Sequence, residues 1–380
     1  MAAGAAESIF LVLCGKRIEG NSIRRFSMRS IFIGSTGGEP GQTLTTWALA
    51  TKLGEKGLRV GFIKPYSLLP DTGTSAEGGF CDSDALLLKK VLGLPEPEET
   101  LCPVMLTENL IPEVTGDHRE RLIEKIKGAF QEISLGKDVV LIMGAREIFL
   151  GDGLSGISDS ALVRLFDASV LLVDRYQRDN MTLYSLLSLN SFLDGRVKSA
   201  VINHVSLEKM EHVKTKIVPF LKEKGLKSVV ALPENPVLSA LTVSILASLV
   251  DGQVLCCPEH TGNLIETFTI GAKHLEGPLA IFKQVYNKII LVGLGQAGGE
   301  KTTVGGIILT GGKIPSEVIL RVARERSIPL ILTRADTFQT MERLEKARPS
   351  LTLQDEFKVR KFLQLIEQEA VTSEWVDALL

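Results

Sequence analysis

The chain has 380 residues, of which 44% are hydrophobic and 23% are charged, and its formal net charge is −2. This length predicts two domains, and the near-neutral charge gives no electrostatic reason to expect a nucleic acid or an anionic membrane as a partner. The apolar runs are shorter than the roughly 18 residues of a membrane-spanning helix, and the scattered cysteines lack CxxC spacing, which argues against a disulfide framework or a structural zinc site and favours a cytoplasmic location.

The start of the chain predicts an N-terminal extension rather than part of the fold. Ile9–Cys14 is apolar but too short for the core of a signal peptide, and the basic residues Lys16 and Arg17 follow it. Residues 1–29 are therefore expected to be a loose or non-native extension, with Met28 as an alternative natural start.

The next stretch, Ile31–Thr46, has the strand–loop–helix order of a phosphate-binding loop. In such a loop, backbone N–H groups converge on phosphate oxygens, glycines permit that close approach, and the helix N-terminus favours anions. A lysine normally precedes the final Ser or Thr of a Walker A motif, but here Gln42 stands before Thr43 and supplies no charge. The candidate ligand-binding residues of this stretch are Gly34, Gly37, Gly38, Gly41, Gln42 and Thr43.

Apolar runs and amphipathic segments alternate from the loop to residue 232. Short apolar runs predict strands, and segments with apolar residues three and four positions apart predict helices. The predicted strands are Ile31–Ile33, Val60–Ile63, Val139–Met143, Ser169–Val173, Val197–Ile202 and Ser228–Leu232, and the predicted helices are Thr43–Lys56, Asp82–Leu92, His118–Ile133, Asp159–Phe166, Met181–Leu193 and Val213–Lys224. This alternation predicts a parallel sheet covered on both faces, which binds ligands beyond the carboxyl ends of its strands.

Polar residues at those strand ends are candidates for a site. Lys64 follows the second predicted strand, Asp174 and Arg175 follow the fourth, and Asn203 follows the fifth. Structural roles are the alternatives, since Lys64 could be a solvated strand end and Asn203 could end its strand in a left-handed turn. Asp174 and Arg175 are expected to pair in a surface turn. In the loop, the glycines could form only a tight turn, and Thr43 could only cap its helix.

A second unit begins near Pro233 and repeats the alternation on a smaller scale. Ser239 is expected to cap a helix over Ser239–Leu249. The predicted strands that follow are Gln253–Cys256, Lys288–Val292, Gly305–Leu309 and Pro329–Leu332, and the predicted helices are Ser316–Glu325, Thr340–Ala347 and Asp355–Gln368. The glycines in Gly293–Gly299 have GxGxxG spacing without a helix after them, so this segment is interpreted as a turn and not as a dinucleotide site.

Three segments carry a resemblance to a known family. They read IFIGSTGGEPGQTLTTWALATKLGEKGLRVGFIKP at 31–65, VVLIMGAREIFLGDGLSGISDSALVRLFDASVLLVDRY at 139–176 and GGIILTGGKIPSEVILRVARERSIPLILTRADTF at 305–338. In this order they resemble the non-catalytic N-terminal region of phosphotransacetylases. The resemblance implies an α/β architecture, with a dethiobiotin-synthetase-like, P-loop NTPase-like parallel sheet domain over 30–235 and a smaller α/β DRTGG-like domain with C-terminal helices over 236–380. The catalytic domain of that family would follow Leu380, so acetyl transfer is not expected of this chain.

The dethiobiotin-synthetase pattern also implies roles for individual residues. Lys64 matches a lysine that faces phosphate or substrate, and Asn203 matches an asparagine that reads the nucleotide base. Asp84 matches an acid that helps to hold magnesium, so the resemblance gives Thr43 and Asp84 as the candidate metal ligands.

Two charged groups of the same pattern are replaced in this chain. Gln42 stands for the loop lysine, and Met143 stands for a glutamate at the end of the third strand. In the second unit, Thr310-Gly311-Gly312 and Asp336-Thr337 match the DRTGG signature, but the Gly-Asp-Arg that normally comes earlier is not evident. Removing one charge-stabilising donor typically costs roughly 10²–10³ in the rate of phosphoryl transfer, so catalysis is disfavoured.

The expected function is therefore binding of a small ligand by a non-catalytic or regulatory cytoplasmic protein. ATP or another nucleotide with Mg²⁺ is the candidate cofactor. Two alternatives remain, namely a Mg-ATP-dependent carboxylate–amine ligase of the dethiobiotin synthetase type and a structural partner of a separate acetyl-transfer enzyme. The resemblance implies a homo-oligomer, and neither nucleic acid nor a membrane is expected as a partner.

Overall fold

The computed structural model describes residues 28–38, 41–68, 82–106, 117–148, 157–270, 282, 288–293, 303–345, 351–369 and 372–380. These residues form two α/β units, each built on a six-stranded sheet. Arg29 already belongs to the first strand. Residues 1–27 of the predicted extension and the glycine-rich segment after Gly293 lie outside the described residues. Within the described segments, no helix is long and apolar enough to cross a membrane.

The first unit is a parallel sheet with the strand order β2-β5-β1-β6-β7-β8. Its strands are β1 Arg29–Ser35, β2 Val60–Ile63, β5 Val139–Glu147, β6 Ser169–Arg175, β7 Val197–Val205 and β8 Ser228–Pro233, beside a small ribbon of β3 Tyr66–Leu68 and β4 Val104–Leu106. The six predicted strands are confirmed, because near-continuous apolar runs suit a sheet that is buried on both faces. Ile31, Phe32 and Ile33 of β1 are fully buried.

Helices cover this sheet. They are α1 Gln42–Glu55, α2 Ser83–Leu92, α3 Glu98–Leu101, α4 Asp117–Ser134, α5 Asp159–Leu165, α6 Asp179–Phe192, α7 Leu207–His212, α8 Val218–Glu223 and α9 Pro236–Ser239. The helix predicted over Val213–Lys224 begins earlier, at Leu207, and passes through a π-helical turn over Val213–Ile217. Pro219 accounts for this irregular turn, because it lacks the N–H group that would bond to the carbonyl one turn earlier.

The second unit is a mixed sheet with the strand order β10-β14-β13-β12-β11-β9, in which β13 and β14 are parallel and the other neighbours antiparallel. Its elements are β9 Leu241–Thr242, α10 Val243–Leu249, β10 Gln253–Cys256, β11 Leu264–Ile270, β12 Lys288–Gly293, β13 Thr303–Leu309, α11 Glu317–Glu325, β14 Leu330–Leu332 and α12 Thr337–Glu345. The sequence did not predict β11. Most of its side chains are partly or fully exposed, so it lacks the apolar run that marks the other strands.

The prediction that Ser239 caps a helix over Ser239–Leu249 is wrong. Ser239 is the last residue of α9, and the short strand β9 separates α9 from α10. The cap of α10 is Thr242, whose Oγ1 accepts a hydrogen bond from the N–H of Ile245 at 3.3 Å. Both residues are small and hydroxylated, so local sequence alone does not separate the two possible caps.

The chain returns to the first unit after the second sheet. Helices α13 Glu356–Glu369 and α14 Thr372–Asp377 pack against α1 and β8, and Trp375 is fully buried in the core of the first unit. Two ion pairs join them to α1 and to the residue that follows it, Lys52–Glu367 at 3.3 Å and Lys56–Asp377 at 2.7 Å. The C-terminal helices, which the sequence analysis grouped with the second unit, therefore complete the covering of the first sheet.

Candidate functional site

Parallel pairing brings the carboxyl ends of β1, β5, β6 and β7 to one edge of the first sheet. Ile33 pairs with Met143 there, and Arg175 pairs with Asn203. The loop between β1 and α1 rises from the middle of this edge. The strand ends that the sequence marked as candidates therefore meet, as the geometry of a parallel sheet requires.

Gly41 forms the junction between the loop and α1. Its φ of 97° lies in the left-handed region, which glycine adopts without steric cost. It is the N-cap residue of α1 and no side chain caps the helix there, so the first N–H groups of α1 have no acceptor within the helix. A Cβ atom on Gly41 would lie 3.1 Å from Nδ2 of Asn203. The absence of a side chain thus also lets Asn203 approach the loop.

The other loop glycines differ in how strongly the packing requires them. A Cβ atom on Gly34 would lie 3.3 Å from the side chains of both Ile148 and Leu172. At Gly37 it would meet nothing within 4 Å, and Gly38 is exposed. Gly34 therefore serves packing beneath the loop, whereas Gly37 and Gly38 lie at its open side, where a ligand could reach the backbone.

The side chain of Gln42 is used within the protein. Its Nε2 donates hydrogen bonds to the carbonyl oxygens of Ile33 at 2.7 Å and Gly144 at 3.0 Å. It thereby ties the end of β1 to the end of β5 at the position where a Walker A motif carries its lysine. A neutral amide in this place fixes the strand ends and contributes no charge toward a phosphate.

A connected polar network stands beside the first turn of α1. The Oγ1 of Thr43 donates to Oδ1 of Asp84 at 3.0 Å, and the Nζ of Lys64 contacts Oδ2 of Asp84 and Oδ2 of Asp82 at 2.8 Å each. Asp82 also caps α2 through Oδ1 and accepts a hydrogen bond from the hydroxyl of Ser67. The structure thus brings together three predicted site residues, and it adds Asp82, which the sequence marked only as the start of a predicted helix.

Lys64 and Asp82 of this network are ionised at neutral pH. Burial acts to lower the pKa of the Lys64 ammonium, but the two carboxylates outweigh it and hold this pKa above its ordinary value. Burial acts to raise the pKa of Asp82, but Lys64 and Ser67 hold it below its ordinary value. Lys64 is only 6% exposed, so its charge is balanced almost entirely by these carboxylates and not by water.

The expectation that Asp174 and Arg175 pair in a surface turn is wrong. Asp174 is 4% exposed, whereas Arg175 is exposed. The carboxylate of Asp174 accepts hydrogen bonds from the hydroxyl of Thr36, at the start of the loop, and from that of Thr182 in α6 at 2.7 Å. Asp174 therefore anchors the loop to α6, a role that depends on residues far apart in the sequence.

In β5, the apolar side chain of Met143 is followed by a glycine that packs against a carboxylate. Met143 is buried, in agreement with the apolar replacement read from the sequence. Asp159, at the start of α5, is 2% exposed and its Oδ1 accepts a hydrogen bond from the hydroxyl of Tyr66 at 3.0 Å. A Cβ atom on Gly144 would lie 2.4 Å from Oδ2 of Asp159, so only glycine lets this carboxylate reach the strand. Sequence reasoning placed Asp159 at a helix start and missed its position at the site.

A cavity of about 550 Å³ opens beyond the ends of β6, β7 and β8. Its polar lining includes Tyr176, Asp179, His204, Ser206, Lys209 and Glu234. Asn203, whose Nδ2 lies near Gly41, directly precedes His204 of this lining, and its Oδ1 accepts a hydrogen bond from the backbone N–H of His204 at 2.9 Å. Burial and the charge of Arg175 lower the pKa of His204, which keeps its imidazole neutral at physiological pH.

One wall of the cavity is held by a chain of hydrogen bonds. The hydroxyl of Tyr176 donates to Oδ1 of Asp179 at 2.7 Å, and Nε2 of His212 lies 2.7 Å from the other oxygen of the same carboxylate. Burial and the contact with Asp179 raise the pKa of Tyr176 to about 12. This cluster could not be predicted from the sequence, because its members come from two separate helices and a loop.

Comparison with protein families identifies both units. A family model described as AAA domain matches residues 29–242, and a model described as DRTGG domain matches residues 245–347. Their order agrees with the two-domain α/β architecture expected from the sequence, and the fold class is confirmed.

Curated relatives match over different lengths. The phosphate acetyltransferase of Pseudomonas putida is 23% identical over 351 residues, which are 86% of this chain and 48% of that protein. The phosphate acetyltransferase of Synechocystis sp. is 20% identical over 360 residues, which are 90% of this chain and 50% of that protein. An ATP-dependent dethiobiotin synthetase of Methanococcus vannielii is 31% identical over 117 residues, 30% of this chain and 50% of that protein. The chain thus spans about half the length of the acetyltransferases that it matches, and the resemblance to the phosphotransacetylase family is confirmed.

Proposed function

We propose that this chain, which belongs to the AAA domain family matched over residues 29–242, binds a nucleotide at the loop between β1 and α1 without hydrolysing it. The observation that carries the proposal is the N-terminus of α1. Gly41 begins this 14-residue helix in a left-handed conformation, and no side chain caps it. Its N–H groups therefore offer the donors and the partial positive charge that favour a phosphate.

Hydrolysis is not part of the proposal because two charged groups are replaced. The amide of Gln42 is neutral and bonded to strand carbonyls, and Met143 stands in β5 where the dethiobiotin-synthetase pattern has a glutamate. Developing charge on a transferred phosphoryl group needs positioned cations, and losing one such contribution costs roughly 10²–10³ in rate. With both groups replaced, binding by backbone donors is the chemistry that the remaining residues support best.

The cavity beyond β6, β7 and β8 provides room for the rest of the ligand. Asn203 joins it to the loop, since its side chain lies beside Gly41 and accepts a hydrogen bond from the backbone of His204. A molecule with its phosphates on the loop would extend over β6 and β7 toward Glu234. This placement makes Asn203 the residue between the phosphate-bearing end and the remainder of the ligand.

A regulatory role follows as a further part of the proposal. The DRTGG domain would respond to occupancy of the loop, in a cytoplasmic homo-oligomer or in contact with a separate acetyl-transfer enzyme. The C-terminal helices support such a link, because they leave the second unit and pack on α1, the helix that begins at the loop.

Isothermal calorimetry with ADP, ATP and acetyl-CoA, in EDTA and in Mg²⁺, tests the binding proposal. We expect heat with at least one of the nucleotides and no release of phosphate from ATP. Gln42→Lys should strengthen ADP binding about tenfold, because a charged donor adds roughly 1.5 kcal/mol at a phosphate. Absence of heat with every nucleotide, for both the wild type and Gln42→Lys, would overturn the proposal.

The second candidate is an ATP-dependent carboxylate–amine ligase. It is favoured by one observation, namely that Lys64, Asp84 and Thr43 form a connected network at the loop. ATP turnover that requires Mg²⁺ and is abolished in Lys64→Ala would establish this alternative. Turnover that is absent from the wild type, in a preparation that binds ADP, would exclude it.

A further inference from the structure

The ammonium of Lys64 lies between the carboxylates of Asp82 and Asp84. We infer that Lys64 takes the place of the divalent cation at this site, so that ligand binding at the loop does not require Mg²⁺. The inference rests on the proposed nucleotide binding and specifies its cation requirement. It departs from the expectation that Thr43 and Asp84 hold magnesium.

Lys64 is fixed in this position from several directions. Its backbone N–H donates to the carbonyl of Leu101 at 2.8 Å, directly after β2. Its Nζ lies 2.8 Å from Oδ2 of Asp82 and 2.8 Å from Oδ2 of Asp84. Asp82 is held in turn, because its Oδ1 accepts the N–H groups of Asp84 and Ala85 at the start of α2.

The oxygens that would bind a metal ion are already engaged. Asp84 uses Oδ2 for Lys64 and Oδ1 for the hydroxyl of Thr43, so both candidate ligands already contact each other and the ammonium. The residue of β5 that pairs with Ile33 is Met143, whose side chain is apolar and buried. In the parts of the chain that the structure describes, no group of three or more His, Cys, Asp and Glu side chains could hold a metal ion. The residues present therefore do not fit a Mg²⁺ site.

The charges at this site also disfavour a bound Mg²⁺ ion. A Mg²⁺ ion at Asp84 would lie close to the Lys64 ammonium, which has almost no access to water. Removing the ammonium from its carboxylates would leave a buried charge without compensation, which is strongly unfavourable. Lys64 thus supplies the positive charge that a bound Mg²⁺ ion would otherwise provide at these carboxylates.

The experiment compares wild type, Lys64→Met and Lys358→Met. Lys358→Met is the matched control, because it removes another buried lysine–carboxylate pair, Lys358–Asp355 at 3.0 Å, which lies in the C-terminal segment. ADP is titrated by calorimetry in EDTA and in millimolar Mg²⁺, and the melting temperature is measured with and without Mg²⁺ in the absence of nucleotide.

We expect the ADP affinity of the wild type to differ by less than about threefold between EDTA and Mg²⁺. The melting temperature should be unaffected by Mg²⁺ in the wild type and in Lys358→Met. In Lys64→Met, Asp82 and Asp84 lose the ammonium that balances their charge and should bind Mg²⁺, so that the ion raises the melting temperature and makes ADP binding Mg²⁺-dependent.

Wild-type ADP affinity that rises about tenfold or more with Mg²⁺ overturns the inference. If ADP does not bind under any condition, the proposed function is refuted, and the inference about Lys64 is then tested only by the melting temperatures with and without Mg²⁺. Stabilisation of the wild type by Mg²⁺ then counts against it, and selective stabilisation of Lys64→Met supports it. If Lys64→Met does not fold, the response of the wild type to Mg²⁺ decides.

Discussion

Substitution of Gly41 tests whether the N-terminus of α1 is the ligand site. Gly41 and Gly57 flank the two ends of α1, and their φ angles are 97° and 76°. A Cβ atom on Gly57 would meet nothing within 4 Å, whereas one on Gly41 would lie 3.1 Å from Nδ2 of Asn203. Gly57→Ala is therefore a matched control with the same backbone strain and no contact with the loop.

The two variants should lose similar stability but differ in binding. A non-glycine residue in the left-handed region costs about 1–2 kcal/mol, of which the stiffer unfolded chain returns about 0.4–1 kcal/mol. Each variant should thus lose roughly 1 kcal/mol of unfolding free energy. Gly41→Ala must also displace Asn203 or the loop, and we expect its ADP affinity to fall about tenfold or more, against less than about twofold for Gly57→Ala.

Urea unfolding measures the first effect, and calorimetric titration with ADP measures the second. Equal ADP affinities for Gly41→Ala and the wild type would refute the assignment of the site to this helix end. An equal loss of affinity in both variants would refute it as well, since the cause would then be general destabilisation of α1.

Three further predictions concern the framework around the site. Arg59 holds the pKa of Asp138 at about 2 through hydrogen bonds. The stability that this pair contributes should therefore be complete above about pH 4 and be lost as the pH falls through 2. In urea unfolding at pH 6, 3 and 2, the unfolding free energies of wild type and Arg59→Gln should approach each other as the pH falls. Phe362→Ala should lower the unfolding free energy of the first unit by about 3–5 kcal/mol, because this fully buried side chain belongs to its core. An unchanged urea transition would show that the C-terminal helices do not pack in the core of the first unit. Asp179→Asn should lower the pKa of Tyr176 from about 12, as measured by ultraviolet titration with Tyr176→Phe as the reference, and an unchanged pKa would exclude the hydrogen bond.

Local sequence patterns were sufficient to predict the parallel sheet and the place of the loop. Buried runs such as Ile31–Ile33 and Val139–Met143 are local patterns, and a strand needs little more than such a run between turn residues. Gly41 was also identified locally, since a turn from strand to helix commonly requires a left-handed residue. The family resemblance then supplied the order of the two domains.

The contacts of the polar side chains, in contrast, depend on the fold. The amide of Gln42 reaches Gly144 across 102 positions of the chain, and Thr36 reaches Asp174 across 138. The packing of Trp375 on the first unit after the chain has completed the second is equally non-local. Hydrogen bonds and packing of this kind depend on which strand ends become neighbours, and periodicity along the chain does not contain that information. The same is true of Lys64, which the sequence placed at a strand end and the fold placed between two carboxylates.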